Sequence, residues 1–317
     1  MNLDELAAAA QPDDSAPLRV PAWTLGCFRR RSITFFTGVT DEATTVYWLQ
    51  AHGLTADLRL PAERPRASAL GGVDSLAEAP AEVLVALADV EGGLARTGWD
   101  DQRGLMSWSG WEAFQLHDKW PEPGRLLRVG DCLTEHAPSG AYVEDWRLQP
   151  SADGPLIGLE LVEERERDSG VIRHRGGGLL VCGQHAALVR GRPHPLAGAG
   201  ARLPDRVRSA LADRAALRAI FAFEASYATR PQAGATFTVA ASTNPLREGA
   251  PLFHDDGFSL DRSGRVVLQR TREDGRWIER RFTIDTLAPA RSFPSATAAS
   301  AAAQHWLASE ARTLLRG

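Results

Sequence analysis

The chain has 317 residues, with 36 basic and 40 acidic side chains and a formal net charge of −4 at pH 7. A charge this small, with 44% hydrophobic and 24% charged residues, is typical of a globular protein and excludes a disordered tail or a nucleic-acid-coating protein. The basic residues include a single lysine, Lys119, and the arginines are scattered among acids. We read this as the composition of a bacterial genome and expect no nucleic-acid partner.

Three sequence features indicate the cellular compartment in which we expect the protein. The segment before residue 20 lacks the basic start and apolar run of a signal peptide, and no stretch of about 18 apolar residues predicts a membrane span. Cys27, Cys132 and Cys182 are odd in number and unpatterned, which argues against a disulfide framework or a zinc site. We therefore expect a cytoplasmic protein with reduced thiols and no membrane partner.

The first two thirds of the chain have the rhythm of short strands. Residues 1–20 are Ala-rich and acidic, and we expect them to be disordered. Gly-, Pro- and Asp-containing turns then separate about ten or eleven stretches that alternate or are rich in β-branched and aromatic residues. These predicted strands are 27–36, 44–50, 55–60, 94–99, 104–109, 111–120, 125–136, 141–149, 155–165, 171–175 and 178–190. A helix is predicted at residues 80–90, with Pro80 in its first turn.

The last third mixes helices and strands. A linker rich in Gly, Pro and Ala at 192–204 precedes a predicted helix at 205–226, four strands and a terminal helix. The four predicted strands are 236–241, 252–260, 265–271 and 276–284. We expect a barrel at 21–195, a smaller helix-plus-antiparallel-sheet domain at 205–290, with a second barrel-like unit as the alternative, and a C-terminal helix at 296–317.

This order of elements predicts a mainly β protein. Strands do not alternate with helices, so the sheets are antiparallel, and closure into a barrel is favoured over a sandwich because it removes exposed strand edges. The sequence contains no dinucleotide fingerprint, P-loop, nucleophile elbow or zinc-protease motif. We therefore expect no cofactor.

Three alternative sites carry weak signals. Gly176-Gly177-Gly178 resembles a phosphate cradle, but a glycine run between strands more often marks a bulge or a close backbone approach. His254-Asp255-Asp256, with His305, has ligands for a metal, yet Asp-Asp-Gly is also ordinary turn chemistry. A haem on His117 or His185 has no supporting motif. We predict no metal.

The candidate site is built from residues that alternate along the predicted barrel strands. Period two places Tyr142, Glu144 and Trp146 on one strand face, where two aromatic rings flank a carboxyl group, a combination suited to a small-molecule pocket. The alternative for Glu144 is a structural salt bridge to an arginine such as Arg128 or Arg147.

Histidines add a chemical option. His117 shares a predicted strand face with Trp111, and imidazole is the common acid–base group of enzymes. His117 and Glu144 are therefore the predicted acid–base pair if the protein is an enzyme. Glu135 and His136 lie at a predicted strand end, where barrel mouths are lined. The predicted ligand-binding residues are Trp108, Trp111, Tyr142, Trp146, Glu135, His136 and His185.

Several short blocks resemble a known family. Residues 31–34, 45–49 and 56–61, then Trp108, His117-Asp118, residues 142–147 and residues 177–190, follow an order similar to that of a lipocalin-like family that includes the fungal casein-kinase-interacting proteins. The resemblance covers about residues 20–195 and implies a calycin-type barrel whose interior accepts a small, mostly apolar molecule. It implies no catalytic residues.

Three function classes follow. The first is a protein that binds a small hydrophobic or aromatic metabolite, favoured by the nine tryptophans. The second is a cofactor-free lyase, isomerase or hydratase that works by acid–base catalysis inside the barrel. The third is a non-catalytic interaction scaffold. No oligomeric state is predicted.

Overall fold

A computed structural model describes residues 1–9, 19–117, 122–197 and 200–314, and it contains two antiparallel sheets with five short α-helices. The first sheet is formed by β1 (Gly26–Phe35), β2 (Thr40–Asp41), β3 (Thr45–Gln50), β4 (Leu54–Leu60), β5 (Glu91–Asp100), β6 (Leu105–Ala113), β7 (Gly124–Val129), β8 (Cys132–His136) and β9 (Tyr142–Leu148).

The first sheet closes on itself. Its strands pair in chain order, and β1 also pairs with β9, so β1 and β3–β9 form an eight-stranded antiparallel barrel with β2 attached to its rim. A register shift between Arg30 and Ser32 bends β1 at this seam. The predicted fold class, mainly β with an antiparallel barrel, is confirmed.

The second sheet is formed by β10 (Gly154–Glu166), β11 (Ile172–Arg175), β12 (Gly177–Cys182), β13 (His185–Arg190), β14 (Glu224–Thr229), β15 (Thr238–Ser242), β16 (Phe258–Leu260), β17 (Val266–Glu273) and β18 (Arg276–Arg291). Its order is β15-β14-β13-β12-β10-β18-β17-β16, with β11 paired to β10. The barrel therefore ends at residue 148, and its predicted extension to residue 195 is wrong. The strands from 154 to 190 belong to the second sheet, because β10 pairs with the long β18 and with β12, and β12 pairs with β13.

The helices are α1 (Leu3–Ala9), α2 (Ala81–Leu87), α3 (Leu203–Ala210), α4 (Arg214–Phe221) and α5 (Ala301–Leu314). The predicted helix at 205–226 is two helices, because Asp213 caps the second one by accepting from the N–H groups of Ala215 and Ala216. The chain then enters β14 at Glu224. The predicted terminal helix at 296–317 is present from residue 301 to 314, and residues 315–317 lie outside the described part.

The N-terminal helix is a packed element. Leu3 and Leu6 of α1 are fully buried against the second sheet, and Asp4 binds Arg230 through two hydrogen bonds of 2.9 Å. The expected disorder of residues 1–20 is therefore wrong for residues 3–9, whereas residues 10–18 lie outside the described chain. Among the described residues, no helix is long and apolar enough to cross a membrane.

The second sheet covers part of the outside of the barrel. A shared hydrophobic core joins the outward residues of β3 and β4, such as Leu49 and Leu58, to Leu180 and Ala187 of the second sheet. The rings of Tyr47 and Tyr227 stack across this interface with 3.7 Å between centroids. Consequently both faces of β4 are buried, one in the interface and one inside the barrel.

Candidate functional site

The lower half of the barrel interior is solid. The indole of Trp48 stacks on Phe28 and meets Trp146 edge-on at 5.5 Å, and all three side chains are at most 3% exposed. Beside them, the hydroxyl groups of Thr55 and Thr97 lie 2.6 Å apart and both contact the amide of Gln50. These layers form a floor across the barrel.

Above this floor the barrel contains a cavity of about 510 Å³. A volume of this size accepts a small organic molecule. Of the residues that the structure describes, seven aromatic side chains line it, together with seven ionisable ones and three smaller residues. They are Phe35, Phe36, Trp48, Trp108, Trp111, Tyr142 and Trp146; Asp57, Arg59, Glu91, His117, Glu122, Glu135 and Glu144; and Ile33, Thr55 and Ala141.

Seven of the nine predicted site residues line this one cavity. They are His117, Glu144, Trp108, Trp111, Tyr142, Trp146 and Glu135. Period-two alternation explains the placement, because Tyr142, Glu144 and Trp146 of β9 all turn inward and Glu135 of β8 stands directly opposite Glu144.

The other two predicted residues lie elsewhere. His136 follows the inward Glu135, so it turns to the opposite strand face, where its ring contacts Thr134 at 3.2 Å. His185 belongs to β13 of the second sheet, and its ring nitrogens contact the Tyr227 hydroxyl at 2.8 Å and the Pro150 carbonyl at 2.9 Å. Burial lowers the pKa of His185, so this ring is a neutral structural residue between the sheets.

Glu144 is buried in an ion pair. Its carboxylate accepts a hydrogen bond of 2.8 Å from Arg30, which also binds Asp41 at 2.8 Å, and Arg59 approaches within 3.9 Å. The salt-bridge alternative for Glu144 thus holds, but with Arg30 as the partner instead of Arg128 or Arg147. The bend in β1 after Arg30 accompanies this inward orientation.

His117 is at the mouth, not beside Glu144. Its side chain is 45% exposed and its Nε2 lies 3.9 Å from Glu91. The predicted acid–base pair therefore consists of one rim residue and one deep residue, and the residue directly across from Glu144 is Glu135. The segment from Phe114 to His117 is irregular, so the predicted strand at 111–120 ends with β6 at Ala113; residues 118–120 lie outside the described chain.

Glu135 is a buried carboxyl group in the cavity wall. It is 5% exposed, and its Oε1 accepts a hydrogen bond of 3.0 Å from the Tyr142 hydroxyl. Burial, together with the nearby negative charge of Glu144, raises the pKa of Glu135 to about 8. Its carboxyl group is therefore mostly uncharged at neutral pH.

Space for this carboxyl group depends on a glycine. A Cβ placed on Gly124 of β7 would lie 2.8 Å from both Cγ and Oε1 of Glu135. Burial and the charge of Glu135 raise the pKa of Tyr142 well above its usual range, so its hydroxyl stays protonated and acts as the donor. Gly124 and Tyr142 thus fix where the Glu135 carboxyl lies.

Sequence reasoning missed Arg30, Asp57 and Arg59. Arg59 donates to both oxygens of Asp57, with its Nε 3.1 Å from each and its Nη2 2.9 Å from Oδ2. The alternation of Asp57 and Arg59 with leucines was a visible signal of an inward face. This face could not be assigned to the barrel interior from the sequence, because the opposite face of β4 is apolar and is buried too.

The weaker alternatives have structural explanations. A Cβ on Gly177 would lie 2.1 Å from the Val189 carbonyl oxygen, and one on Gly178 would lie 2.3 Å from that of Leu159, so this glycine run permits close strand pairing. Asp255 accepts from the Leu3 N–H at 2.8 Å, and Asp256 accepts from the Thr271 hydroxyl at 3.2 Å. Both aspartates therefore stabilise the second sheet.

Comparison with known proteins does not assign the chain to a family. No protein-family model, no curated protein and no solved structure matches the chain. The function must therefore be argued from the cavity itself.

Proposed function

We propose that this chain is a lipocalin-like protein that binds a small, largely apolar or aromatic molecule inside its barrel. The observation that carries this proposal is the cavity of about 510 Å³ above a packed floor, with aromatic walls and a few fixed polar groups. Binding sites for small molecules have this composition, in which apolar walls supply affinity and fixed polar groups supply orientation. We also propose a cytoplasmic location, in keeping with the free thiols of Cys27, Cys132 and Cys182.

A blocked cavity tests this proposal. Ala141 lines the mouth and is half-buried, so Ala141→Trp places a large ring across the opening. The matched control is Val129→Trp, on a side chain that is 79% exposed on β7. We expect the neutral dye N-phenyl-1-naphthylamine to gain fluorescence with the wild type and with Val129→Trp, and to bind at least about tenfold more weakly to Ala141→Trp.

Native mass spectrometry of the freshly purified protein is the companion measurement, because a retained small molecule is seen directly. If Ala141→Trp binds the dye as tightly as the wild type, the dye lies outside the barrel. That result, with an apo mass, contradicts the proposal and favours an interaction scaffold.

One observation favours a second candidate function, acid–base catalysis by a cofactor-free lyase, isomerase or hydratase. The carboxyl group of Glu135, whose pKa burial raises to about 8, faces Glu144, which is ion-paired with Arg30, and such a reaction needs an acid and a base placed together in this way. Each role contributes about 10²- to 10⁴-fold in known enzymes. Glu135→Gln and Glu144→Gln would then abolish turnover of the retained compound, whereas His117→Asn at the rim would keep most of it. Unchanged turnover in either glutamine variant removes that residue from the mechanism.

A further inference from the structure

Glu135 forms no ion pair with any residue that the structure describes. Its hydrogen bond comes from the neutral Tyr142 hydroxyl, and no arginine or histidine nitrogen of the described residues lies within salt-bridge distance of it. The opposite residue, Glu144, is bonded to Arg30 at 2.8 Å. The two adjacent carboxyl groups therefore differ. Among the described residues, Glu144 has an arginine within salt-bridge distance and Glu135 has none.

The groups that face Glu135 from the surrounding elements are mostly acidic. Among the described residues, Arg30 is shared between Glu144 and Asp41, and Arg59 is bonded to Asp57. Of the residues that the structure describes, the ionisable groups that line the cavity or bond to its lining are Arg30 on β1 and Asp41 on β2; Asp57 and Arg59 on β4; Glu91 on β5; His117 and Glu122 beside the mouth; Glu135 on β8; and Tyr142 and Glu144 on β9. The negative charge of Glu144, and to a smaller extent that of Asp57, opposes ionisation of Glu135, and the positive charge of Arg59 offsets this only in part. A further positive charge placed beside Glu135 is therefore stabilised.

The walls favour the same kind of ligand. The faces of tryptophan and tyrosine rings attract cations, and more strongly in desolvated sites. Trp108 and Trp111 come from β6 and Tyr142 from β9, so aromatic rings stand on separate sides of the same cavity. Aromatic rings combined with a carboxyl group that lacks a cation are the elements that recognise organic ammonium groups.

We propose that the ligand is an organic cation, an amine or quaternary ammonium group on an apolar body, whose charged nitrogen lies between the Glu135 and Glu144 carboxyl groups and the aromatic walls. This rests on the proposed binding function and names the chemical class of its ligand. The charge of the nitrogen replaces the arginine that Glu135 lacks, and the apolar body contacts the indole rings of the floor.

Binding of such a cation is linked to a proton. The uncharged Glu135 must release its proton to form the ion pair, so the cation competes with H⁺ below pH 8. The affinity for a permanently charged ligand should therefore rise between pH 6 and pH 8 and level off above that. A neutral ligand that accepts a hydrogen bond from the protonated Glu135 would show the opposite trend.

An isosteric pair of probes tests the charge alone. Phenyltrimethylammonium and tert-butylbenzene have nearly the same shape, and only the first carries a positive charge. Titrations followed by tryptophan fluorescence at pH 6, 7, 8 and 9 should show phenyltrimethylammonium binding at least about tenfold tighter at pH 8, with an affinity that rises from pH 6 to 8. The affinity for tert-butylbenzene should not change with pH.

Variants assign the effect to Glu135. Glu135→Gln keeps the size of the side chain, and we expect it to lose the pH dependence and at least about tenfold in affinity for the cation, with tert-butylbenzene unchanged. Gly124→Ala should reproduce part of this loss by displacing the same carboxyl group. Glu82→Gln, on the exposed surface of α2, is the matched control and should behave as the wild type.

The outcomes separate the two proposals. Equal or weaker binding of the cation, or an affinity for it that falls from pH 6 to 8, overturns the cationic ligand while tert-butylbenzene binding keeps the cavity function. Binding of neither probe, together with a dye response that Ala141→Trp leaves unchanged, contradicts the proposed function itself. A cation effect that persists in Glu135→Gln also overturns the assignment to Glu135.

Discussion

The two sheets bury the same kinds of charged residues and use them in opposite ways. In the second sheet, Glu164 is fully buried and bonded to Arg280 at 2.6 Å, and Glu224 is bonded to Arg190 and, at 3.1 Å, to Arg247. These arginines hold the pKa of both carboxyl groups at about 2, even though burial acts to raise it. In the barrel, burial without such a partner raises the pKa of Glu135 to about 8.

The difference teaches how to tell a structural charge cluster from a functional one. Burial disfavours a carboxylate in both places, and the pKa falls where arginines lie beside the carboxyl group and rises where the neighbouring charge is that of Glu144. The carboxylates of the second sheet are closed in by their own partners. Glu135 instead borders a cavity, so its missing partner can be supplied from outside the protein.

The largest expected effect comes from breaking the closed cluster. Arg280 binds Glu164, Gln269 and Glu273 and is 2% exposed, so Arg280→Met leaves a buried carboxylate without its main cation. We expect the free energy of unfolding to fall by about 3–5 kcal/mol at pH 7, measured by urea denaturation. The cavity is in the other sheet, so dye binding by the folded fraction should be unchanged.

Arg270, on the neighbouring strand β17, provides the matched control. It pairs with Glu279 at 2.8 Å, but its side chain is 50% exposed. Arg270→Met should cost less than about 1 kcal/mol, because water screens exposed pairs. Similar losses in the two variants would contradict the distinction between the buried pair of Arg280 and the exposed pair of Arg270.

A second large effect is expected at the floor of the cavity. Trp146 is 2% exposed and packs edge-on against Trp48, so Trp146→Ala should lower the free energy of unfolding by about 3–5 kcal/mol and weaken the dye response. Trp277→Ala, at a ring that is 46% exposed on β18, is the control and should leave the dye response intact. A dye response that survives Trp146→Ala would argue for a scaffold rather than a binding protein.

The raised pKa of Glu135 predicts how the stability of the folded protein depends on pH. The unfolded chain releases the Glu135 proton near pH 4.3, whereas the folded protein keeps it until about pH 8. Between these values the wild type loses stability as the pH rises, by up to about 1.4 kcal/mol per pH unit. Glu135→Gln does not titrate, so from pH 5 to pH 8 its stability relative to the wild type should improve by on the order of 3 kcal/mol.

Urea denaturation of both proteins at pH 5 and pH 8 measures this difference, and Glu82→Gln is again the control because its exposed carboxyl group should give the same relative stability at both values. A constant difference between Glu135→Gln and the wild type would show that Glu135 is ionised in the folded protein. The contrast between the two sheets would then disappear.

These contrasts also show what the sequence could and could not predict. Alternation along Tyr142, Glu144 and Trp146 identified one inward face correctly, because a strand in a barrel keeps its period of two. The same reasoning could not choose a face for β4, since the second sheet buries its outer leucines as thoroughly as the barrel buries Asp57. The local sequence pattern indicates that a side chain is buried, but it does not indicate whether that side chain lies inside the barrel or in the interface with the second sheet.

The boundary of the barrel and the position of His117 could not be predicted for a related reason. Closure depends on the pairing of Phe28 with Leu148, and β10 joins the second sheet through partners such as Leu159 and Ile284, more than 100 residues apart in the chain. No local signal carries that information. His117 lies on an irregular segment after β6, so strand alternation could not place it.

The smallest expected effect concerns the hydroxyl that contacts Glu135. Tyr142→Phe removes the donor to Glu135 Oε1 and leaves the ring on the cavity wall. A buried hydrogen bond of this kind contributes about 1 kcal/mol, so unfolding at pH 7 should show a loss of that size. Since this donor lowers the pKa of Glu135, its removal should raise that pKa further and move the rise in phenyltrimethylammonium affinity to higher pH. Tyr47→Phe, in the interface between the sheets, should leave the pH profile unchanged. An identical profile in Tyr142→Phe would mean that its hydroxyl does not affect the pKa of Glu135.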